Sequence, residues 1–241
     1  MFQFSPHRPS TAMYLDVARG VIPNSKIIHK FGANFDIDQA TDPETVWSGG
    51  GLYPWLAFAT AQTLYCLSTS ASDTAVLTIQ GLDSNYDEQI ETVTLNGLTA
   101  VTTTNTFIRV FRATYEDGAN AGNITIRTGS AAGTVVAQIN AGLSQTLMAV
   151  YTVPASYTAY LVSLDVSIDS NKNAQLIMYQ RIFSKPFRVS HIAEATGHYR
   201  YDFHAPLAVA EKTDIDFRID NVSGNDTRVT ANFDLILIRN Y

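Results

Sequence analysis

Along the second half of the chain, apolar and polar residues alternate with a period of two. Tyr199, Tyr201 and Phe203 fall on one side of an extended segment, and His198, Arg200, Asp202 and His204 fall on the other. Thr213, Ile215, Phe217 and Ile219 oppose Asp214, Asp216, Arg218 and Asp220 in the same way. Successive side chains of a strand point to opposite faces, so this pattern predicts antiparallel strands with one face on a core. Together with turn signals, it predicts strands over residues 56–67, 74–81, 88–95, 106–115, 122–128, 133–139 and 145–153. Beyond a turn at Pro154-Ala-Ser-Tyr157 it predicts 158–168, 174–183, 187–194, 198–204, 213–219 and 226–238. No stretch has the 3.6-residue period of an amphipathic helix of normal length.

The turns carry their own chemistry. Short polar side chains at Asp83-Ser-Asn-Tyr-Asp87 mimic turn backbone, and Asn96-Gly97 is a strong hairpin signal. Asp83, Asn85 and Asp87 match the first half of a calcium loop. Glu88 then stands where such a loop needs glycine, and Thr94 where it needs a bidentate glutamate, so the segment reads as a turn.

About a dozen strands with long connections fit an all-β fold, an antiparallel β-sandwich of jelly-roll type. The body is expected over residues 55–241, with two smaller β domains meeting near Pro154 as the second reading. Residues 1–54 differ. Pro6, Pro9, Pro23, Pro43 and Pro54 interrupt them, Ser48-Gly-Gly-Gly51 is a hinge, and only Ile27–Phe31 reads as a short strand, with a helical turn over Thr41–Trp47. So long a loop in a compact domain normally serves a purpose. Residues 1–54 are therefore expected to be an extended N-terminal arm, ordered against a partner through its aromatic side chains.

Composition narrows the function. Hydrophobic residues are 46% of the 241, enough for a sizeable core, while charged residues are only 16%, which favours a protein with much of its surface packed. A net charge of −6 with no basic cluster argues against nucleic-acid binding. Residues 1–10 lack the apolar run of a secretory signal, and no segment approaches the roughly 18 apolar residues of a membrane-spanning helix. Synthesis in the cytoplasm, without membrane association, is expected.

Candidate chemistry is sparse. Cys66 lies in an apolar strand with no histidine poised beside it and reads as a buried small hydrophobe. No nucleophile elbow, phosphate-binding glycine loop or Cys/His metal spacing occurs. Phe35-Asp-Ile-Asp38 puts two carboxylates on one side of an extended segment, a solvated edge or an interface contact. The His198–His204 polar face reads as an exterior or intersubunit surface, because a metal there would need a further ligand such as His191. Asp214, Asp216 and Asp220 alternate with core residues as an ordinary outer face would. Arg109 and Arg112, in the apolar strand Phe107–Ala113, call for a carboxylate such as Glu91 or for a subunit boundary. No catalytic residue, metal ligand or cofactor site is expected, and the chain is read as not an enzyme.

Lys30-Phe-Gly-Ala-Asn-Phe-Asp-Ile-Asp38, Glu44-Thr-Val-Trp-Ser-Gly-Gly-Gly51, Ser70–Thr74, Gly81–Gly97 and Thr106–Arg112 together resemble a group of virion structural proteins of tailed phages of marine bacteria and cyanobacteria. The resemblance covers roughly residues 26–160. It implies a β-rich accessory protein of the virion, a capsid decoration or cement protein that sits on the shell as a homotrimer and contacts the major capsid protein or another virion protein. Phe31, Phe35, Trp47, Tyr53, Trp55, Arg109 and Arg112 are then the candidate interface residues. A tail, fibre or baseplate component with a receptor- or glycan-binding β domain is the alternative.

Overall fold

The computed structural model describes residues 11–169, 171–182 and 184–240. A short helix, α1 (Thr11–Ala18), precedes sixteen strands. These are β1 (Ser25–Ile37), β2 (Glu44–Thr45), β3 (Gln62–Ser68), β4 (Val76–Leu82), β5 (Glu88–Thr94), β6 (Val101–Phe107), β7 (Arg109–Tyr115), β8 (Ile124–Thr128) and β9 (Thr134–Ile139). Then come β10 (Val150–Thr152), β11 (Tyr157–Ile168), β12 (Asn173–Ile182), β13 (Arg188–Thr196), β14 (His198–Val209), β15 (Thr213–Asp220) and β16 (Thr227–Arg239). The fold is all-β, an antiparallel sandwich architecture.

The strands form two pairs of sheets. One pair has the orders β1-β16-β11-β14 and β10-β15-β12-β13, with β2 also paired to β15. Its core is made by inward residues such as Leu161, Leu164, Val166, Leu176, Ile215 and Leu235. Phe217 of β15 and Phe233 of β16 stack across it with ring centroids 4.7 Å apart. Truncating a buried phenylalanine to alanine costs about 3–5 kcal/mol, so Phe233→Ala would strip much of the fold's net stability. The second pair, β6-β3-β8-β9 and β5-β4-β7, encloses its own core around Leu64, Leu77, Ile79, Phe107, Ile124 and Val136. It is inserted between β2 and β10 of the first.

Residues 25–37 are not part of an arm. They make a 13-residue strand paired with β16 from Ser25↔Ile238 to Ile37↔Thr227. Alternation is hidden there because Gly32, Ala33 and Asn34 are buried in succession, the strand being covered on more than one side. A Cβ on Gly32 would lie 2.2 Å from the amide nitrogen of Ala149 and 2.3 Å from the carbonyl of Val46. Only glycine allows that approach. The helical turn expected over Thr41–Trp47 is instead a bend holding β2, and the first ten residues of the expected arm lie outside the described residues.

The two cores divide where the chain enters the inserted sandwich near Pro54 and leaves it near Ala149, so residues 25–45 share a core with 150–240. Composition marks turns but not which distant strand closes a sheet. The turn reading of Asp83–Asp87 agrees with its geometry: Asp83 Oδ1 accepts from the backbone N–H groups of Asn85 (2.8 Å) and Asp87 (3.0 Å), closing β4 onto β5. Gly97, with φ +54°, supplies the left-handed residue of the next turn.

Candidate functional site

Strand β15 directs Ile215, Phe217 and Ile219 into the first core, which leaves Asp214, Asp216 and Arg218 on its other face. The inserted sandwich covers that face. Asp214 and Asp216 are consequently fully buried, against the expectation of an ordinary outer face. Burying two carboxylates is tolerable only if each is paired and hydrogen-bonded.

Both are. Oδ1 of Asp214 accepts from Arg109 Nε at 2.8 Å and from Thr152 Oγ1 at 2.6 Å. Its Oδ2 accepts from Arg109 Nη2 at 3.0 Å and from Arg181 Nε at 2.8 Å. Asp216 takes Thr45 Oγ1 at 2.9 Å on Oδ1, and Trp55 Nε1 at 2.9 Å and Arg218 Nε at 2.8 Å on Oδ2. Arg109 and Trp55 come from the inserted sandwich and its entry turn, while Arg181, Arg218 and both carboxylates come from the first. The cluster therefore fastens one sandwich to the other.

Aromatic rings continue the joint. Trp55 meets Tyr53 edge-on at 4.7 Å, and Tyr53 meets Trp47 at 5.1 Å. Burial raises the Tyr53 phenol far above its usual range, with the Asp214 and Asp216 charges adding to the effect. The carboxylate oxygens of Asp214 and Asp216 are committed to guanidinium, hydroxyl and indole donors. Proton transfer to a substrate would first have to break the joint.

The seven candidate interface residues thus separate into three groups. Trp47, Tyr53, Trp55 and Arg109 are brought together but inside the chain, where an outside partner does not reach them. Phe31 and Arg112 are half-buried and adjacent, the guanidinium 5.8 Å from the ring centroid. Phe35 is exposed and apart, under the Arg228 guanidinium at 4.8 Å. Glu91 does not serve Arg109; it accepts from the backbone of Thr104 and Asn105 at 2.6 and 3.0 Å. Sequence reading missed Asp214, Asp216, Arg181 and Arg218 as one cluster. The available signal was the pairing of arginines in apolar strands with carboxylates that alternate in another strand.

Elsewhere, Arg200 and Asp202 pair on an exposed face, and His198 Nε2 lies 3.0 Å from Asp165. His191 is on the opposite side of β14, with its Nε2 3.0 Å from the Tyr199 hydroxyl and its ring against Tyr201 and Phe203. It does not join His198 and His204 as a ligand set. Asp36, Asp38 and Asp226 bring carboxylate oxygens within 4.8 Å of one another, and the Asp38 charge raises Asp36. Burial pushes the Cys66 thiol up to about 12, far from a nucleophile's range.

The outer face of the sheet β1-β16-β11-β14 is partly apolar. Helix α1 lies beside it. One cavity of about 440 Å³ is lined by Tyr14, Val162, Ile236 and the Arg200/Asp202 pair, and another of about 330 Å³ by Met13, Tyr160, Pro206, Ile236 and Ile238.

No family model matches this chain, and no curated protein does. Among solved structures, the PBSX exported protein XepA aligns over 87% of this chain and 86% of its own, with 8% identity and a TM-score of 0.21. A likeness that weak bears on neither fold nor function.

Proposed function

We propose that the chain is a non-enzymatic structural protein of a phage virion, a capsid decoration protein that binds the outer shell as a trimer and stabilises it. The observation that carries this reading is the division of labour between interior and surface. The strongly interacting buried ions fasten the chain to itself, while Met13, Tyr14, Leu15 and Ile238 present apolar surface along one sheet face and its helix. Such a body adds binding free energy across a boundary without chemistry of its own. The resemblance of residues 26–160 to tailed-phage virion proteins points the same way. Counting β1 as strand 1 and β10–β16 as strands 2–8, the first pair of sheets reads 1-8-3-6 and 2-7-4-5. We infer from this interleaving a jelly roll that carries an inserted second sandwich.

Copy number in purified parent particles tests the reading. Hundreds of copies support decoration, and a few per particle favour the tail or fibre alternative. That alternative draws support from the partly exposed aromatic edge of Tyr199, Tyr201 and Phe203 beside His191, a surface suited to a sugar ring. Light scattering tests the trimer, which requires three times the 26.4 kDa of one chain. Because β1 belongs to the sheet, the informative truncation removes residues 1–20 and spares 25–45. Loss of particle binding with cooperative unfolding intact is expected, and undiminished binding would move the docking surface away from α1.

A further inference from the structure

Where β1 faces strands β4 and β7 of the inserted sandwich, a cleft of about 330 Å³ opens, lined by Ile28, His29, Lys30, Gln80, Phe111 and Arg112. Lys30 is only 2% exposed, yet it carries an amine into a junction it shares with Ile28 and Phe111. Its Nζ donates to the carbonyl of Phe111 and lies 5.8 Å from the centroid of that ring. Arg112, beside it, donates to the carbonyl of His29 at 2.8 Å. An ammonium offers three donors and a guanidinium five, so most of this donor capacity is uncommitted.

The neighbouring carboxylates are engaged elsewhere. Glu88 pairs with Lys26, and Asp234 pairs with His29 at 2.6 Å. Among the described residues, neither Lys30 nor Arg112 has a carboxylate within ion-pair reach. That is unexpected in a chain with 22 acidic and 16 basic residues, whose buried Arg109 and half-buried Arg181 and Arg218 are all matched. Burial and the Arg112 charge both press Lys30 toward its neutral form. An anion held between the two cations would remove both penalties.

We propose that this cleft is a binding site for a small oxyanion, held between Lys30 and Arg112 at the seam of the two sandwiches. The ligand bridges the seam by charge-assisted hydrogen bonds, with the Gln80 amide at hand as a neutral donor. The inference does not depend on the virion reading.

Calorimetric titration of the full chain with inorganic phosphate, in chloride-balanced buffer of constant ionic strength, tests it. Saturable binding is expected, at least about tenfold weaker in Lys30→Met and in Arg112→Gln, as loss of a charge-assisted hydrogen bond requires. Acetate titrated in the same way separates a site for tetrahedral anions from one for carboxylates; saturable binding of either supports the proposal. Lys30→Met keeps the side-chain volume and removes a buried amine, so it should fold, and Arg112→Gln alters a half-buried position. General salting-in or salting-out by phosphate acts on the variants as on the parent and does not saturate. Saturation by neither anion, or affinity unchanged in Lys30→Met, would overturn the site.

Discussion

Strands β14 and β15 follow one another in the chain and share one alternation, yet their polar faces meet opposite fates. On β14, Arg200 and Asp202 pair in solvent, with 58% and 63% of their side chains exposed. On β15, Asp214 and Asp216 lie in the dry joint beneath the inserted sandwich. A surface pair is screened and costs side-chain entropy to hold. A buried one is bound to its partners because water no longer competes and separation would leave an uncompensated charge. Position in the sheet decides which applies: β15 lies inside its sheet and under the insertion, while β14 is an edge.

The largest expected effect breaks the buried side of that contrast. Asp214→Ala leaves Arg109 and Arg181 facing each other without a counter-charge and should cost about 3–5 kcal/mol, read as a lowered urea midpoint. Asp202→Ala, the matching deletion on β14, should leave the midpoint where it was. Equal losses at the two positions would show that the covering sandwich does not control the difference. Trp55→Phe is milder. It removes the indole donor to Asp216 and keeps a ring, and about 1–3 kcal/mol is expected, with Thr45 and Arg218 still holding the carboxylate.

Lys30 extends the contrast to a buried cation without a carboxylate. Burial, and then Arg112, lower its pKa in the fold from the ordinary 10.5, so below that pH the unfolded chain binds the proton more tightly. The native state is therefore penalised progressively as pH falls from 10.5 towards the lowered native value. Lys30→Met should gain stability relative to the parent over that descent, measured from urea midpoints at several pH values. A pH-independent difference would mean that Lys30 keeps its charge hydrated.

Much of the body was legible because one face of most strands is buried and alternation reports that directly. Strands β11 to β16 fall within a few residues of the segments predicted from the pattern, apart from an extended end on β14. Alternation does not report what lies over the second face. Asp214 and Asp216 therefore read as solvent-facing, although the cover comes from Arg109 and Trp55, more than a hundred residues earlier in the chain. β1 was read too short for a related reason, since Gly32–Asn34 are enclosed on more than one side and lose their period. The pattern predicts no strand over most of β6, only its last two residues falling in the segment 106–115, because Thr102-Thr-Thr-Asn-Thr106 has no apolar stripe. Trp47, Tyr53 and Trp55 were recognised as belonging together, but their anchoring partner is this same chain.

The smallest effect concerns carboxylates that crowd without cations. Asp36, Asp38 and Asp226 meet at the end of β1, and the charge of Asp38, then desolvation, then Asp226 and Glu44 raise Asp36 above its ordinary 3.8. Between that value and the raised one, the native state holds the proton more tightly than the unfolded chain, so stability falls as pH rises through the window and the deficit persists at neutrality. Asp36→Asn should thus be slightly more stable than the parent at pH 7 and indistinguishable from it in acid, below the ordinary aspartate value. Asp36 is exposed, so solvent screens the repulsion and the gain should shrink further in high salt. The joint at Asp214, shielded from ions, should keep its full sensitivity to substitution under the same salt. Equal salt dependence at Asp36 and Asp214 would show that water enters the seam between the sandwiches.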